Sequence, residues 1–180
     1  MLIEIWKLEK LLLNHKKWLK SKGGRQAIFT RVSIKYEIFR NALLKKAVFT
    51  KANLQWCTFK NCDIRNADFK GADLSWTNMS NSNLENCDFT GAKLNYTNFE
   101  NCNLKNCIFN DADFWLCNIT GANVTNAVGI PDCKDKKVIN VEWKILSKED
   151  MFKLATELES GNFVTIDYID TSISNVTKTI

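Results

Sequence analysis

Few residues in this 180-residue chain have the types and spacing that catalysis or metal binding requires. His15 is the single histidine, so no Ser-His-Asp or Cys-His arrangement can form without it. Asp111 and Asp113 lie close together, but Asp113 fills a routine polar position before an apolar residue, which indicates a solvated face. No phosphate-cradling loop is present, because the candidate glycines stand singly in turns: Gly71, Gly91 and Gly121. The sequence therefore predicts no enzyme and no cofactor.

The elements that would position functional residues are set by a strict five-residue period between Ala27 and Asn126. An apolar residue, here called the centre, recurs at every fifth position from Phe29 to Val124. A small residue stands two positions before most centres, and Asp or Asn usually lies between the two. A period of five fits neither a helix nor a strand, so it indicates a solenoid.

Side chains twenty residues apart match better than side chains five apart, and this match gives the length of one coil. One column of centres is entirely phenylalanine: Phe29, Phe49, Phe69, Phe89 and Phe109. The opposing column is entirely aliphatic: Leu44, Ile64, Leu84, Leu104 and Val124. The sequence therefore predicts a four-sided coil of twenty residues whose large and small side chains fill a narrow core.

Runs such as Ala67-Asp68-Phe69-Lys70-Gly71 closely resemble the pentapeptide-repeat family over residues 27–126. The segment from His15 to Ala27 is loosely similar to the lead-in of many bacterial members. The resemblance implies an all-β solenoid, a right-handed quadrilateral β-helix of about five coils. The predicted domains are an N-terminal capping helix (1–26), the β-helix (27–128) and a small C-terminal strand-helix-strand appendage (129–180).

The predicted flanks would cover the two ends of the coil stack. Residues 2–19 have the apolar spacing of an amphipathic helix, and Gly23 and Gly24 follow as its expected glycine C-cap. We expect this helix to cap the first coil, whose outward positions are unusually apolar and need a cover: Ile28, Ile38, Leu43 and Val48. The C-terminal appendage would cap the last coil or form a dimer contact.

The residue two positions after each centre predicts how the coil turns. On two faces this residue is mostly Asn or Gly, which tolerate the positive φ of a type II turn. On another face it is bulky: Tyr36, Trp56, Trp76, Tyr96 and Leu116. Because bulky residues resist positive φ, we expect that face to turn differently.

The first four of these bulky residues, Tyr36, Trp56, Trp76 and Tyr96, are here called the aromatic column. Contiguous outward aromatic side chains are typical of partner contacts, so the aromatic column is the candidate partner-binding face. The alternative is that the rings stack on each other as a ladder, or lie beneath a flanking segment.

Six of the seven cysteines stand at the small inward position: Cys57, Cys62, Cys87, Cys102, Cys107 and Cys117. They are interpreted as substitutes for alanine in the core. Cys87 and Cys107 stack one coil apart, which makes a disulfide conceivable, but reduced buried thiols are the simpler interpretation and fit a cytoplasmic protein. No Cys-x-x-Cys or Cys/His grouping has the spacing of a metal site.

Charge is polarised along the chain. Residues 1–70 hold sixteen Lys/Arg and five Asp/Glu, whereas residues 71–126 hold two and six. The candidate basic patch consists of Lys35, Arg40, Lys45, Lys46, Lys60 and Arg65. Such a patch attracts nucleic acid or another anionic surface without specificity, or is simply a solvated face.

Some members of the resembled family mimic B-form DNA, bind DNA gyrase and protect it from quinolones. A DNA mimic needs dense negative charge along the rod, and here the solenoid carries eleven basic and nine acidic residues. Gyrase protection is therefore the alternative, and a scaffold for an unidentified protein partner is the main hypothesis. We also expect no membrane span, no secretory signal and the possibility of a homodimer.

Overall fold

The computed structural model of the chain describes residues 5–130, all within one compact unit, Met1–Asn140. It has one helix followed by a stack of coils. The predicted C-terminal strand-helix-strand appendage and Cys133 lie outside the described residues.

The helix, α1, spans Ile5–Leu19. Leu8 is buried, and Leu11 and Leu12 pack partly buried against the core of the coil stack. Lys16 and Lys17 lie in the last turn, where positive charge complements the helix dipole. The apolar stripe that the sequence predicts is therefore the stripe that meets the core.

The predicted glycine C-cap of α1 is wrong. Ser21 takes the left-handed conformation with φ of 54°. Its N–H donates to the Trp18 carbonyl, and the Lys22 N–H donates to the Lys17 carbonyl, each at 3.0 Å. This pair of bonds is a Schellman motif with serine at the position usually held by glycine. Gly24 is needed for a different reason: a Cβ there would lie 2.2 Å from the Asn14 carbonyl oxygen, so only glycine lets the chain pass this close to α1.

His15 joins α1 to the first coil. Its Nδ1 accepts a hydrogen bond from the Ala27 N–H at 3.0 Å, and its ring is fully buried and stacked on Trp18 with centroids 5.5 Å apart. Burial lowers the pKa of His15, and the backbone of Lys45 only partly offsets this effect. The neutral imidazole thus acts as an acceptor at the start of the coil stack.

The apolar outward positions of the first coil are not all covered. Ile28, Ile38 and Leu43 remain exposed, whereas Val48 is half-buried. The expectation that α1 covers these positions is therefore wrong for three of them, because α1 packs on the core residues rather than around the perimeter of the coil.

From residue 27 to residue 128 the chain winds in coils joined by parallel β-bridges between positions twenty apart. One series of bridges links Ile28 to Val48 and continues at the same interval to Ile108 and Val128. There are four such series, one for each pentapeptide of a coil. We name the corresponding sides faces 1 to 4 after their first centres, which in order are Phe29, Ile34, Phe39 and Leu44. The predicted stacking of positions twenty apart is confirmed.

Within residues 5–130 each bridge involves a single residue, and no longer strand is formed. A regular ladder of backbone hydrogen bonds joins the coils. The N–H of Val48 donates to the Ala27 carbonyl in the preceding coil at 2.9 Å, and the N–H of Phe49 donates to the Asp68 carbonyl in the next coil at 2.7 Å. Backbone groups on every face are paired in this way, which makes the stack stiff.

The core is a ladder of side chains between these faces. On face 1 the ring of Phe69 stacks parallel to Phe49 and Phe89, with centroid distances of 4.8 and 4.9 Å. Rings from the opposite face 3 meet this column edge to face, as in Phe49 and Phe59 at 5.8 Å and 81°. The prediction that the Leu44 column opposes the phenylalanine column is therefore wrong, because face 4 is adjacent to face 1. All these rings are fully buried, so the predicted phenylalanine column is confirmed.

The turns correct one prediction. The residue two after the centre has positive φ on all four faces, including the bulky face 2, where Trp56 and Trp76 both have φ of 63° and Leu116 has 56°. In this conformation the N–H of Trp76 donates to the Asn95 carbonyl in the next coil at 2.9 Å. The ladder therefore overrides the preference of bulky residues against positive φ.

Candidate functional site

Three members of the aromatic column, Trp56, Trp76 and Tyr96, form a continuous stack along the corner after face 2. Trp56 and Trp76 are parallel with centroids 4.8 Å apart, and Trp76 and Tyr96 lie 3.8 Å apart at 11°. Because the three residues occupy the same turn position in successive coils, the coil spacing itself brings the rings into stacking distance. The geometry is thus the ladder that the sequence left as an alternative.

The rings of the aromatic column differ in exposure. Trp56 is buried, with only 4% of its surface exposed, whereas Tyr36, Trp76 and Tyr96 are half-buried. Burial raises the pKa of Tyr96. Lys35 Nζ lies 5.4 Å from the centroid of the Tyr36 ring, within the range of a cation–π contact. Trp56 therefore serves mainly as packing, whereas Tyr36, Trp76 and Tyr96 offer accessible surface.

Trp115 extends this surface, although the sequence did not single it out. Its ring meets Tyr96 edge to face at 5.3 Å, and 54% of its surface is exposed. Trp115 occupies the position one after the centre, not two, so a search of a single repeat column misses it. Its backbone N–H donates a hydrogen bond to Asn95 Oδ1 at 3.2 Å.

The residues of the candidate basic patch lie on three faces. Lys35 lies on face 2, Arg40 and Lys60 on face 3, and Lys45 and Arg65 on face 4, with Lys46 at the following turn. Arg40 and Lys60 occupy equivalent positions in neighbouring coils. The structure therefore places these cations around the first coils instead of assembling them into one patch.

An ion-pair cluster neutralises part of this charge. The Asp63 carboxylate accepts hydrogen bonds from Arg65 Nε at 2.8 Å and from Arg65 Nη2 at 2.9 Å. One of its oxygens also lies 3.3 Å from Lys45 Nζ. Burial acts to raise the pKa of Asp63, but the hydrogen bonds from Arg65 and Lys45 outweigh it and lower the pKa. Arg65 and Asp63 are two residues apart in one coil, whereas Lys45 comes from the preceding coil. The sequence shows these charges but not that all three side chains meet.

The six inward cysteines are free thiols. Burial raises the pKa of Cys62, Cys102 and Cys107 to about 12, and raises that of Cys87 as well. A thiol that stays protonated is a poor nucleophile and a poor metal ligand. Within residues 5–130 no group of three or more His, Cys, Asp and Glu residues could hold a metal ion.

Across the same part of the chain, no helix has the length and apolar character needed to cross a bilayer.

Comparison with known proteins gives one match that spans more than half of the chain. A family model described as pentapeptide repeats (8 copies) matches residues 27–66, 67–106 and 97–128. No curated protein matches the sequence.

Several solved structures are similar to this chain. One is a pentapeptide repeat protein from the Arabidopsis thaliana thylakoid lumen, with 23% identity and a TM-score of 0.48 over 67% of this chain and 88% of that chain. Another is Rfr23, a pentapeptide repeat protein from the cyanobacterium Cyanothece 51142, with 19% identity and a TM-score of 0.34 over 67% and 99%. A third is QnrB1, a plasmid-mediated fluoroquinolone resistance protein, with 23% identity and a TM-score of 0.31 over 59% and 61%.

Proposed function

Since the chain belongs to the pentapeptide-repeat family, whose fold is a right-handed quadrilateral β-helix, we propose that it is a non-enzymatic scaffold. In this role it is a rigid rod that presents the aromatic column to a protein partner. We retain its division into a capping helix (1–26), a β-helix of about five coils (27–128) and an appendage (129–180).

The observation that carries this proposal is the exposed part of the aromatic column. Trp76 and Tyr96 are stacked and half-buried, and Trp115 beside them is exposed. Tryptophan and tyrosine are enriched where proteins contact each other, because a rigid ring buries much apolar area with little loss of side-chain entropy. Their positions are fixed by the backbone ladder, so a partner would bind a preorganised surface.

The charge of the rod distinguishes this proposal from the gyrase-protecting alternative. The described chain up to Lys70 is strongly basic, and within the coil stack Asp/Glu exceed Lys/Arg only in residues 71–126. A mimic of DNA would present negative charge along its whole length. A protein contact through aromatic side chains has no such requirement.

We infer a cytoplasmic location for the protein. The inference is supported by six free cysteines in the coil stack, five of them buried and Cys117 partly buried, because reduced thiols persist in reducing compartments.

The test compares wild type with a variant carrying Trp76→Asn and Tyr96→Asn in affinity capture from the native host. Asparagine occupies the equivalent turn position elsewhere, with φ of 59° at Asn81 and 61° at Asn86, so the turns should be retained. A partner captured by wild type and lost with this variant supports the proposal.

The matched control carries Asn81→Gly and Asn101→Gly, which alter the same turn position on face 3 and keep a residue suited to positive φ. This control should capture the partner as wild type does. Equal capture by all three proteins would exclude the aromatic column as the contact. Gyrase subunits captured equally by all three would instead favour the DNA-mimic alternative.

The possible homodimer is tested separately, by light scattering during gel filtration. A dimer that dissociates in the Trp76→Asn, Tyr96→Asn variant would make a second copy of the chain the partner.

A further inference from the structure

Large exposed apolar side chains lie only toward the two ends of the described chain. Four are at the N-terminal end: Leu13 is 52% exposed, Ile28 56%, Ile38 43% and Leu43 44%. Between Leu43 and Ile108, no large apolar residue has comparable exposure. The other four lie at the far end of the described chain: Ile108, Trp115, Val124 and Val128. Only the group where α1 meets the first coil lies in the basic part of the chain.

The outward face of α1 combines this apolar surface with positive charge. Leu13 lies on the side opposite to the buried Leu8 and His15, which face the coil stack. The spacing of three and four residues in a helix places Lys10, Lys16 and Lys17 beside Leu13. All four are exposed, and the acid on this surface is Glu9.

The first coil continues the pattern around its perimeter. Arg31, Arg40 and Lys46 are exposed, and none of them forms an ion pair within residues 5–130. Ile28, Ile38 and Leu43 alternate with these cations along the chain and lie on faces 1, 3 and 4. They therefore ring the end of the coil stack that α1 covers, so a flat surface could reach them together only end-on. Residues 27–46 contain a single acidic residue.

We propose that this end of the protein, formed by the outward face of α1 and the perimeter of the first coil, docks peripherally on an anionic lipid bilayer. Phospholipid headgroups neutralise lysine and arginine, and the boundary below them accepts apolar side chains such as Leu13 and Ile28. A nucleic acid backbone would pair with the cations but leave the interleaved leucine and isoleucine without a partner. The inference goes beyond the proposed function and leaves the aromatic column free.

The test is cosedimentation of the full-length protein with vesicles. Vesicles of phosphatidylcholine with phosphatidylserine should bind the protein, vesicles of phosphatidylcholine alone should not, and high salt should release it because it screens the headgroup charge. The Lys10→Gln, Lys17→Gln variant should weaken binding by about tenfold or more. The Leu13→Gln variant should also bind more weakly, and this effect should persist at low salt.

The matched control is Lys93→Gln with Lys105→Gln, which removes the same charge from the distant part of the stack. Its binding should stay at the wild-type level, and thermal melts should verify that every variant is folded. Absence of binding to the anionic vesicles would overturn the proposal, as would equal weakening by the two double variants. Binding to duplex DNA or RNA without binding to vesicles would also overturn it and assign the basic end to nucleic acid.

Discussion

The thiol of Cys107 donates a hydrogen bond to the carbonyl oxygen of Leu84, 3.0 Å away in the preceding coil. The same oxygen accepts the N–H of Cys87 at 3.0 Å, which closes the turn after Leu84. Both lone pairs of this buried carbonyl are therefore used. Nine inward side chains donate in the same way to a centre twenty-three residues earlier: Cys57, Cys62, Thr77, Ser82, Cys87, Thr97, Cys102, Cys107 and Cys117.

The cysteines do lie in the core at the positions that alanine fills elsewhere, as interpreted from the sequence, and this relationship adds a second role. Alanine fits the inward position by size, but it cannot donate. Cys, Ser and Thr add a bond between coils at the point where each coil turns. The inward position thus contributes to inter-coil cohesion as well as to packing.

Replacing Cys107 with alanine should lower the free energy of unfolding by about 1 kcal/mol, because one net hydrogen bond is lost while the Leu84 carbonyl keeps its turn bond. Urea denaturation measures this change. Cys107→Ser is the control, because its hydroxyl can donate as Ser82 does to the Phe59 carbonyl. A serine variant less stable than the alanine variant would contradict a role for the donated bond.

Gly91→Ala should destabilise the protein by about 1 kcal/mol through backbone strain alone. Gly91 has φ of 64°, and a Cβ built there meets no atom within 4 Å, so steric contact with neighbours contributes nothing. Gly91→Asn should cost less, since asparagine adopts this conformation at Asn86 and Asn106. Thermal denaturation compares the three proteins, and equal stability of the alanine and glycine forms would show that the turn relaxes.

Acidification should destabilise the protein through His15. Burial holds the pKa of His15 in the folded chain below its ordinary value of 6.5. Above that value the ring is neutral in both states, and this contribution to stability is fully present. As the pH falls through 6.5, the unfolded chain takes up the proton first, so the free energy of unfolding decreases. Protonation of Nδ1 in the folded chain would also break the bond from the Ala27 N–H.

Denaturation midpoints measured from neutral to mildly acidic pH check this prediction. His15→Gln is the control, because a glutamine oxygen can accept from Ala27 and does not titrate. Since the chain has one histidine, a single imidazole resonance reports its protonation directly. Identical pH profiles of wild type and His15→Gln would rule out His15 as the source of the acid sensitivity.

Much of the fold was predictable because it repeats. The centres, the phenylalanine column and the twenty-residue register can be predicted from the sequence, since every coil places the same side-chain type in the same environment. The end of α1 at Leu19 was also predicted, although its cap was not. Ser21 adopts the strained conformation because the chain must turn back before Gly24 passes α1, and no local signal marks that path.

The candidate sites were only partly predictable. The sequence identified the aromatic column, but the buried state of Trp56 and the addition of Trp115 depend on neighbouring coils. It identified the cations, but the pairing of Lys45 with Asp63 depends on which side chains meet across coils. The pairing of Arg65 with Asp63, two residues earlier, depends on how the coil orients the two side chains.

The sequence by itself determined the period, the columns and the inward alternation of large and small residues, because these follow from repetition along the chain. The tertiary structure decided how each turn is made and what each inward side chain does. Trp76 accepts a positive φ because the ladder bond and the stacked rings of Trp56 and Tyr96 compensate its strain. Those contacts join residues twenty apart, and they exist only once the coils are stacked.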